Sequence, residues 1–466
     1  MTALPTARPA SSRIEFIALI AMLFSTIALC IDAMLPAVPV IARELTPDTP
    51  ERAGLVISSF VLGMGLGTFI AGPLSDWYGR KATILGGLLL LAAGSVLAAN
   101  AWSMETLLAA RVIMGLGAAA PRVAGVALVR DLYAGRQMAQ IMSFAMMVFM
   151  IVPAAAPAMG ALVIAGYGWR GVFWTFVLFA GVVGTWLTLR QPETLTAAAR
   201  VPLRVGTLIA GARVVLSNRL ALASMVVQTM IFGVLFGTLS SVQPLFEKTF
   251  GRGASFPAWF ALIALFSAGA SLTNALLVRR LGMYRVVIAV LAVQVGLSGV
   301  MALMTLGGFW PDDLYFPAYV VWVICLFAMA GMTVGNLNAI AMEPMGSIAG
   351  LAASVILALP TIASTAIAAP LGLAFDGTPG PLALGTFVSV GLALCVMPQM
   401  RPGRQAGVLG RIPFSARSRA MAKAPLIRSA SVAQACTSTI LLPAMRAPGP
   451  AALMKSTSPA GLANLS

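Results

Sequence analysis

Long apolar stretches alternate with short polar turns along most of the chain. Twelve apolar runs stand between residues 15 and 399, and a helix needs about 20 such residues to cross a bilayer. The predicted spans are 15–38, 53–74, 82–100, 104–128, 138–163, 171–190, 220–243, 256–278, 284–307, 316–341, 347–373 and 381–399. The pattern predicts an all-α membrane protein with twelve transmembrane helices.

A polar interval, 191–219, divides these spans into two sets of six. We therefore predict five segments: a cytoplasmic N-terminus (1–14), an N-terminal six-helix bundle (15–190), a cytoplasmic central loop (191–219), a C-terminal six-helix bundle (220–400) and a basic tail (401–466). The tail has nine basic and no acidic residues. Its Arg, Ala, Ser and Pro content predicts disorder, and we expect it to contribute nothing to transport.

The basic residues of the turns indicate the orientation of the chain. With the N-terminus inside, the inner turns hold fourteen basic residues and the outer turns hold five: Arg43, Arg52, Arg170, Lys248 and Arg252. Cytoplasmic loops carry the excess of Lys and Arg. Both termini are therefore expected in the cytoplasm. The polar start, 1–12, lacks the plan of a signal peptide, so the first span is interpreted as retained.

Composition narrows the class of protein. Of 466 residues, 59% are hydrophobic and 9% are charged, whereas about a quarter are charged in soluble domains. The chain has no histidine, which excludes histidine proton relays, histidine metal sites and Ser-His-Asp catalysis. Four scattered cysteines predict neither a metal site nor a disulfide framework. The net charge of +16 comes without an aromatic-interleaved basic surface, so a tail near anionic lipid is favoured over nucleic-acid binding.

Three charged residues lie inside predicted spans and away from the turns: Asp32, Arg111 and Arg122. A charge in the bilayer core costs about 2.5 kcal/mol or more, so such residues are usually functional or paired. At 1.5 Å per residue, Asp32 and Arg111 reach similar depths in the outer half, where a pair or a shared water network is feasible. Asp32 is the predicted protonation site and Arg111 its modulator. The alternative is an aspartate that reaches the outer surface.

Arg122 follows Arg111 by 11 residues, so the two share nearly one helix face. A cationic stripe facing lipid would be costly, and we expect it to face a cavity or another helix; a structural Arg122 bound to helix-end carbonyls is the alternative. The other candidate cavity residues lie in two later spans and are Gln228, Phe232, Phe236, Asn336 and Asn338. Apolar pockets with few polar groups suit lipophilic ligands, although packing is the alternative role for each.

The turn 72–81 joins the second and third predicted spans and concentrates charge. Its pattern G-x-L-x-D-x-x-G-R-K resembles the loop signature of the major facilitator superfamily of secondary transporters. A charged turn without a special role is the alternative. The candidate gating residues here are Gly72, Asp76, Gly79, Arg80 and Lys81.

Two further stretches resemble motifs of this superfamily. Arg111-x-x-x-Gly115-x-Gly117 is similar to its fourth-helix motif. Pro153, Pro157 and Gly160, in the fifth span, resemble the antiporter motif G-P-x-x-G-G, with alanines replacing its flanking glycines. Proline kinks a helix and small neighbours permit close helix approach. We expect a gating role for this stretch, with a generic kink as the alternative.

A narrower resemblance is carried by 32–39, 119–133 and 338–350, which look like the Bcr/CflA group of the drug:proton antiporter subfamily. The resemblance covers 14–400. It implies efflux of drugs driven by inward proton flow, a cavity lined by helices 1, 4, 7 and 10, and a latch between the halves made by Asp76 and Arg80. For Asp76 we expect a partner near Ser347, where a helix N-terminus presents partial positive charge.

We therefore expect a monomeric, multi-pass transporter of the inner membrane that exchanges protons for small lipophilic compounds. Its partners would be the substrate, protons and membrane lipids, with no nucleic acid, no metal and no cofactor besides the proton gradient. An uptake or uniport carrier of a metabolite is the first alternative. A transport-inactive receptor or scaffold is the second, and an intramembrane enzyme has the least support.

Overall fold

The computed structural model describes residues 12–202 and 205–401, which form helices joined by short turns. The α-helices are α1 (Arg13–Asp32), α2 (Val38–Leu45), α3 (Leu55–Tyr78), α4 (Arg80–Ala99), α5 (Met104–Leu132), α6 (Gly135–Arg190), α7 (Val205–Ser217), α8 (Arg219–Pro244), α9 (Phe256–Leu281), α10 (Met283–Leu306), α11 (Asp312–Met342), α12 (Ala349–Leu373) and α13 (Gly380–Val396). Shorter 3₁₀ or π turns are Leu35–Ala37, Pro50–Gly54, Ala197–Ala199, Leu245–Thr249, Gly253–Ser255, Glu343–Ile348 and Met397–Met400. The predicted tail lies outside the described residues from 402 onward.

The described helices have the length and surface of membrane-spanning segments. Eleven helical segments within 12–202 and 205–401 are long and apolar enough to cross a membrane. Large apolar side chains point away from the protein along them, with Leu89 exposed to 72% and Leu265 to 69%. So large an exposed apolar surface is unfavourable in water, whereas lipid tails accommodate it. The chain is therefore a multi-pass membrane protein.

The helix α6 is longer than any bilayer is thick. Its 56 residues would extend about 84 Å as one straight helix, against a hydrocarbon core of about 30 Å. At Gly168 the backbone leaves the helical region, with φ 68° and ψ 179°, a conformation that glycine adopts far more readily than other residues. This break lies between the predicted spans 138–163 and 171–190. The fold thus has eleven or twelve apolar spans, depending on whether the two parts are counted separately.

The first predicted span, 15–38, is interrupted near its C-terminal end. The helix α1 ends at Asp32, and the chain continues through the turn Leu35–Ala37 into α2. Pro36 has no N–H to donate to the carbonyl of Asp32, so the regular i to i−4 ladder cannot continue. The last carbonyls of a helix then need other donors. The break therefore creates a polar helix end within an apolar segment.

The predicted central loop contains a helix that the sequence pattern did not predict. Within 191–219, the helix α7 runs along α12, and a Cβ at Gly211 would lie only 2.0 Å from Leu351 Cδ2. Asn218 separates α7 from α8 and accepts hydrogen bonds from the N–H groups of Leu220 and Ala221. The four arginines of this interval favoured a loop, whereas packing of the apolar side chains stabilises the helix.

The spanning helices pack in two groups. Helices α1 to α6 pack mainly on one another, and so do α8 to α13, while the two groups meet where α3 packs on α12 and α6 on α9. Small residues permit the contact between α3 and α12. A Cβ at Gly65 would lie 2.6 Å from Ile362 Cγ1, and one at Gly72 would lie 2.7 Å from Ser354 Oγ. Without a hydrophobic drive between helices in lipid, such close packing is a main source of association.

Replacing Gly65 by leucine should therefore destabilise the protein. A leucine has no room against Ile362, and overpacking of this kind costs about 1–3 kcal/mol. We expect a lower thermal unfolding midpoint for the purified Gly65→Leu protein in detergent. Gly86→Leu is the matched control, because a Cβ at the exposed Gly86 meets nothing within 4 Å. Equal midpoints for the two variants would contradict the importance of this contact.

Candidate functional site

The predicted protonation site, Asp32, is the last residue of α1 and is 6% exposed. Among the described residues, none donates a hydrogen bond to its carboxylate or forms an ion pair with it. At the end of the interrupted helix, this acid is buried within the protein. A buried carboxylate without a partner is costly, so the site is chemically unusual.

Arg111 binds backbone carbonyls near the end of α1 and the start of α3. Its Nε donates to the carbonyl of Val56 on α3 at 3.0 Å, and its Nη1 donates to the carbonyl of Cys30 on α1 at 3.1 Å. The guanidinium also lies over the ring of Phe60, 4.4 Å from the centroid. Arg111 is fully buried, and its Nη2 has no partner among the described residues. It thus binds one of the carbonyls released at the end of α1, and the described contacts do not include an ion pair with Asp32, which the sequence made feasible beside a shared water network.

Gly160 brings α6 against the same end of α1. A Cβ at Gly160 would lie 2.2 Å from the carbonyl oxygen of Ala33, the residue after Asp32. Pro157, one turn earlier on α6, is also buried, and Pro153 is half-buried. Asp32, Arg111 and Gly160, here called the Asp32 cluster, therefore join α1, α5 and α6. The sequence did not indicate that the proline-containing stretch touches the predicted protonation site.

Arg122 is exposed and points between two helices. On one side Ala119 packs against α3, where a Cβ at Gly67 would lie 2.9 Å from it. On the other side Gly125 packs against Phe24 of α1, with 3.2 Å between a Cβ there and the ring. At 100° per residue, Arg122 lies midway between these two contacts. Its side chain is therefore directed to the gap between α1 and α3, on the same face as Arg111.

At the opposite end of α3, Arg80 is the centre of an ion network. The buried guanidinium donates to Asp76, to Asp131 at 2.9 Å and to the hydroxyl of Ser75 at 3.1 Å. The partners lie on α3 and α5, whereas Arg80 begins α4. Charge-assisted bonds of this kind are stronger than neutral ones. The turn 72–81 is therefore fixed to α5.

Glu193 caps the helix that starts in this turn. Its carboxylate accepts hydrogen bonds from the backbone N–H groups of Arg80 at 2.9 Å and Lys81 at 3.1 Å. A negative charge at a helix N-terminus compensates its unpaired donors and its dipole. Gly79 precedes α4 with φ 111°, and a Cβ there would lie 2.3 Å from the Glu193 carboxylate. Asp76, Arg80, Asp131 and Glu193 are called the Arg80 network below.

The described partner of Asp76 is Arg80, within the first group of helices. The side chain of Ser347, near which a partner was expected, lies outside the described residues. Lys81 is bound away from the acids and donates to the carbonyl of Thr188 at 2.9 Å. Gly72 lies apart from the network, where α3 approaches Ser354 of α12.

The remaining candidates lie on α8 and α11. Gln228 is fully buried on α8, and neither polar atom of its amide has a partner among the described residues. Phe232 and Phe236 follow on the same helix, with ring centroids 5.9 Å apart. Asn336 on α11 donates to Asn274 of α9 at 2.9 Å and thus joins two helices. The half-buried Asn338 has an unpartnered amide oxygen.

Two members of the Arg80 network were not proposed from the sequence as functional residues. Asp131 and Glu193 are acids at predicted inner turns, where basic residues predominate. An acidic residue in a turn with mostly basic residues was the signal in the sequence that could have identified each of them. No group of three or more Cys, Asp and Glu residues within 12–202 and 205–401 is arranged to hold a metal ion.

Known proteins resemble this chain in sequence and in fold. The chain is 28% identical to the bicyclomycin resistance protein homolog of Haemophilus influenzae over 285 residues, which is 60% of this chain and 71% of the relative. It is 36% identical to the chloramphenicol resistance protein of Pseudomonas aeruginosa over 147 residues, or 31% of this chain and 35% of the relative. The expected resemblance to drug-resistance transporters is thus confirmed.

A solved structure and a family model give the same fold. The crystal structure of a D-xylose-proton symporter superposes with a TM-score of 0.65 at 14% sequence identity, covering 84% of this chain and 98% of that one. The family model of the Major Facilitator Superfamily matches residues 16–368. These residues hold the Asp32 cluster and the Arg80 network. The chain belongs to the Major Facilitator Superfamily and is a membrane transporter, not an enzyme.

Proposed function

We propose that this transporter is a proton-coupled antiporter that exports small lipophilic compounds, drugs among them, across the cytoplasmic membrane. The observation that carries the proposal is Asp32, a buried acid at the end of an interrupted helix. Its carboxylate has no partner among the described residues. An ionised carboxylate is costly in such a place unless water or a cation reaches it. A structural role gives no reason to keep an acid there, whereas a proton-binding role does.

Proton exchange at Asp32 would follow from a change in its surroundings. Opening to the outside would hydrate the site and bring protons to the carboxylate, and opening to the inside would let the proton leave at higher pH. Arg111 acts as the modulator in this proposal. Its bonds to the carbonyls of Cys30 and Val56 would hold a positive charge at the end of α1, where the acid lies.

The contact of Gly160 with Ala33 provides the coupling of proton binding to helix movement. Pro157 removes one backbone hydrogen bond from α6 and makes a bend there less costly. Because the same helix packs on α9 of the second group, a shift at Asp32 would reach the interface between the groups. We propose that Pro153, Pro157 and Gly160 also keep this contact tight enough to limit proton leak.

The proposed topology has twelve spans, with α6 counted as two because of the break at Gly168. In this proposal both termini lie in the cytoplasm, which the excess of basic residues in the turns on that side supports. The protein would function as a monomer in the inner membrane and would use the proton gradient in place of any cofactor. The Arg80 network then lies at the cytoplasmic face.

The substrate would be mostly apolar and bind between the two groups of helices. Gln228 supplies an unsatisfied amide beside the rings of Phe232 and Phe236, and Arg122 and Asn338 would add polar contacts; Asn336 orients α11 through Asn274. A buried amide without partners calls for a ligand or water. The names of two relatives refer to bicyclomycin and chloramphenicol resistance, which supports efflux of uncharged antibiotics.

An uptake carrier of a metabolite is the second candidate function. The fold likeness to a D-xylose-proton symporter favours it, because one fold serves both directions of transport. A transport-inactive receptor is a weaker alternative, since it would have no use for a buried proton site. A growth defect on one nutrient after gene deletion, with unchanged drug susceptibility, would favour uptake.

The Arg80 network has a gating role in this proposal. It fixes the turn between α3 and α4 to α5 and to the chain after α6, so that the first group of helices can move as one body. We propose that Asp76 and Arg80 stabilise the outward-open state at the cytoplasmic face. The ionic contacts of Arg80 described here all lie within the first group.

Expression of this gene in a bacterial host that lacks its own pumps should lower susceptibility to small apolar antibiotics. Chloramphenicol and bicyclomycin are the first compounds to test. We expect an inhibitory concentration at least about fourfold higher than with empty vector. The Asp32→Asn gene provides the inactive control. An unchanged profile across a broad panel, at normal membrane levels of the protein, would reject export of drugs.

Asp32→Asn should abolish efflux driven by a pH gradient and leave the protein folded. Asparagine keeps the size and polarity of the side chain but cannot release a proton. Uptake of substrate into inverted membrane vesicles, with and without an imposed pH gradient, measures this. Asp48→Asn is the matched control, because Asp48 is an exposed acid in the turn after α2. Wild-type rates with Asp32→Asn would refute the assignment of the proton site.

Arg80→Gln should lower the free energy of unfolding by about 1–3 kcal/mol, because it leaves Asp131 and Asp76 together without their cation. Transport should fall as well, while substrate binding persists. Lys81→Gln changes the neighbouring charge, which is bonded to one carbonyl only, and should cost under about 0.5 kcal/mol. Thermal unfolding and vesicle transport of both purified variants test this, and equal losses would contradict the central position of Arg80.

A further inference from the structure

A cavity lies between the two groups of helices, at the end of the molecule opposite the Arg80 network. It has a volume of about 310 Å³ and is lined by the ends of α2, α8 and α12 and by the turn Pro50–Gly54. Pockets for small organic ligands start at about this size. The cavity is separate from the Asp32 cluster and from Gln228, none of which lines it. We call it the Ser241 cavity.

Ser240 lines this cavity and packs closely against two glycines. A Cβ at Gly54 would lie 3.2 Å from Ser240 Cβ, and one at Gly372 would lie 3.4 Å from the same atom. Ser240 is therefore packed between the turn that precedes α3 and the end of α12. Arg43 of α2 and Glu247, after α8, bridge the two groups at 3.0 Å. The cavity thus lies where the two groups of helices are already in contact.

The neighbouring Ser241 has unused hydrogen-bonding capacity. The residue lines the cavity and is 2% exposed, and its buried hydroxyl has no partner among the described residues. By contrast, the hydroxyl of Ser240 donates to the carbonyl of Phe236 at 3.0 Å. A buried polar group without a partner is uncommon. A ligand in the cavity can provide that partner after rotation of the serine side chain.

The charges around the cavity are balanced. Two cations and two acids contribute to its lining: Arg43, Lys248, Glu51 and Glu247. Arg43 is paired with Glu247, and Lys248 lies 5.8 Å from the ring centroid of Phe375. The remaining lining is largely apolar, with prolines, Val38, Ala42 and Phe375. Such a site gives no net attraction to an anion or a cation and suits an apolar, uncharged molecule.

We propose that the Ser241 cavity is a second binding site, specific for uncharged, largely apolar organic compounds that carry a hydrogen-bonding group. The ligand packs against Phe375, Val38 and Ala42 and bonds to the hydroxyl of Ser241. Its position at the outer end makes it the last site occupied before release. The assignment to the exit path rests on the proposed export function, whereas binding in the cavity does not.

Equilibrium binding of radiolabelled chloramphenicol to the purified full-length protein in detergent tests the proposal. We expect two bound molecules per protein in the wild type and one in Ala42→Phe, which fills the cavity. Ala109→Phe is the control for bulk, since Ala109 is exposed on α5, and it should bind two. Ser241→Ala should keep both sites but weaken one about fivefold, the usual effect of losing one hydrogen bond. Ser217→Ala, at the end of α7, is the control for that change and should bind as the wild type does.

The outcomes separate the site from the function. One bound molecule in the wild type that Ala42→Phe retains, or no bound molecule at all, overturns the second site. One bound molecule that Ala42→Phe removes supports the cavity and counts against a main site for chloramphenicol. Equal stoichiometry and affinity in wild type, Ala42→Phe and Ser241→Ala also overturns it, and Ser241→Ala decides alone if Ala42→Phe does not fold. Efflux of chloramphenicol from the same wild-type protein in vesicles is measured in parallel. Two bound molecules without efflux support the cavity and reject its place on an exit path.

Discussion

The structure depends on one constraint: in an apolar environment, each polar backbone group needs a partner within the protein. Most of the chain meets it with helices whose hydrogen bonds are internal. The exception is the end of α1, where Pro36 stops the ladder and leaves carbonyls without their regular donors. Arg111 donates to the carbonyl of Cys30 there and to that of Val56 on the neighbouring helix. The presence of Arg111 in an apolar environment is thus explained by the carbonyl groups to which it donates hydrogen bonds.

The same break determines where Asp32 lies, at the last position of α1, but it does not provide the acid with a partner. Asp32 lies two residues beyond Cys30, whose carbonyl accepts a hydrogen bond from Arg111. Its own carboxylate has no partner among the described residues. Gly160 touches the next residue of the chain, so the acid lies at a junction of α1, α5 and α6. A change of charge here acts on three helices at once.

Charge has a different use at the other end of the molecule. Arg80 is buried but is surrounded by Asp76 and Asp131, and Glu193 neutralises the N-terminus of α4. These three acids accept hydrogen bonds from the side chain and the backbone of Arg80, and the bonds fix the sharp turn between α3 and α4. At the end that holds Arg43 and Glu247, the ion pairs among the described residues are exposed or half-exposed, and exposed pairs contribute little to stability. The buried ionic contacts of Arg80 thus fix a turn within the first group of helices, whereas the pair of Arg43 and Glu247 joins the two groups only weakly.

The sequence by itself determined that the chain is a membrane protein built from apolar helices, because the length of an apolar run is a local property. The resemblance of 72–81 to the superfamily's loop signature added the expectation of a transporter. The sequence also singled out Asp32, Arg111 and Arg80, since a charge inside an apolar run is conspicuous. It did not predict the break after Asp32, because the apolar run 15–38 continues through it, and it missed α7 because the four arginines of the interval 191–219 indicated a loop. Only the tertiary structure decided the partners: carbonyls for Arg111, Asp131 for Arg80, and Ala33 for Gly160. Those contacts join residues 51 to 127 positions apart in the chain, and helix packing, which no local pattern encodes, brings them together.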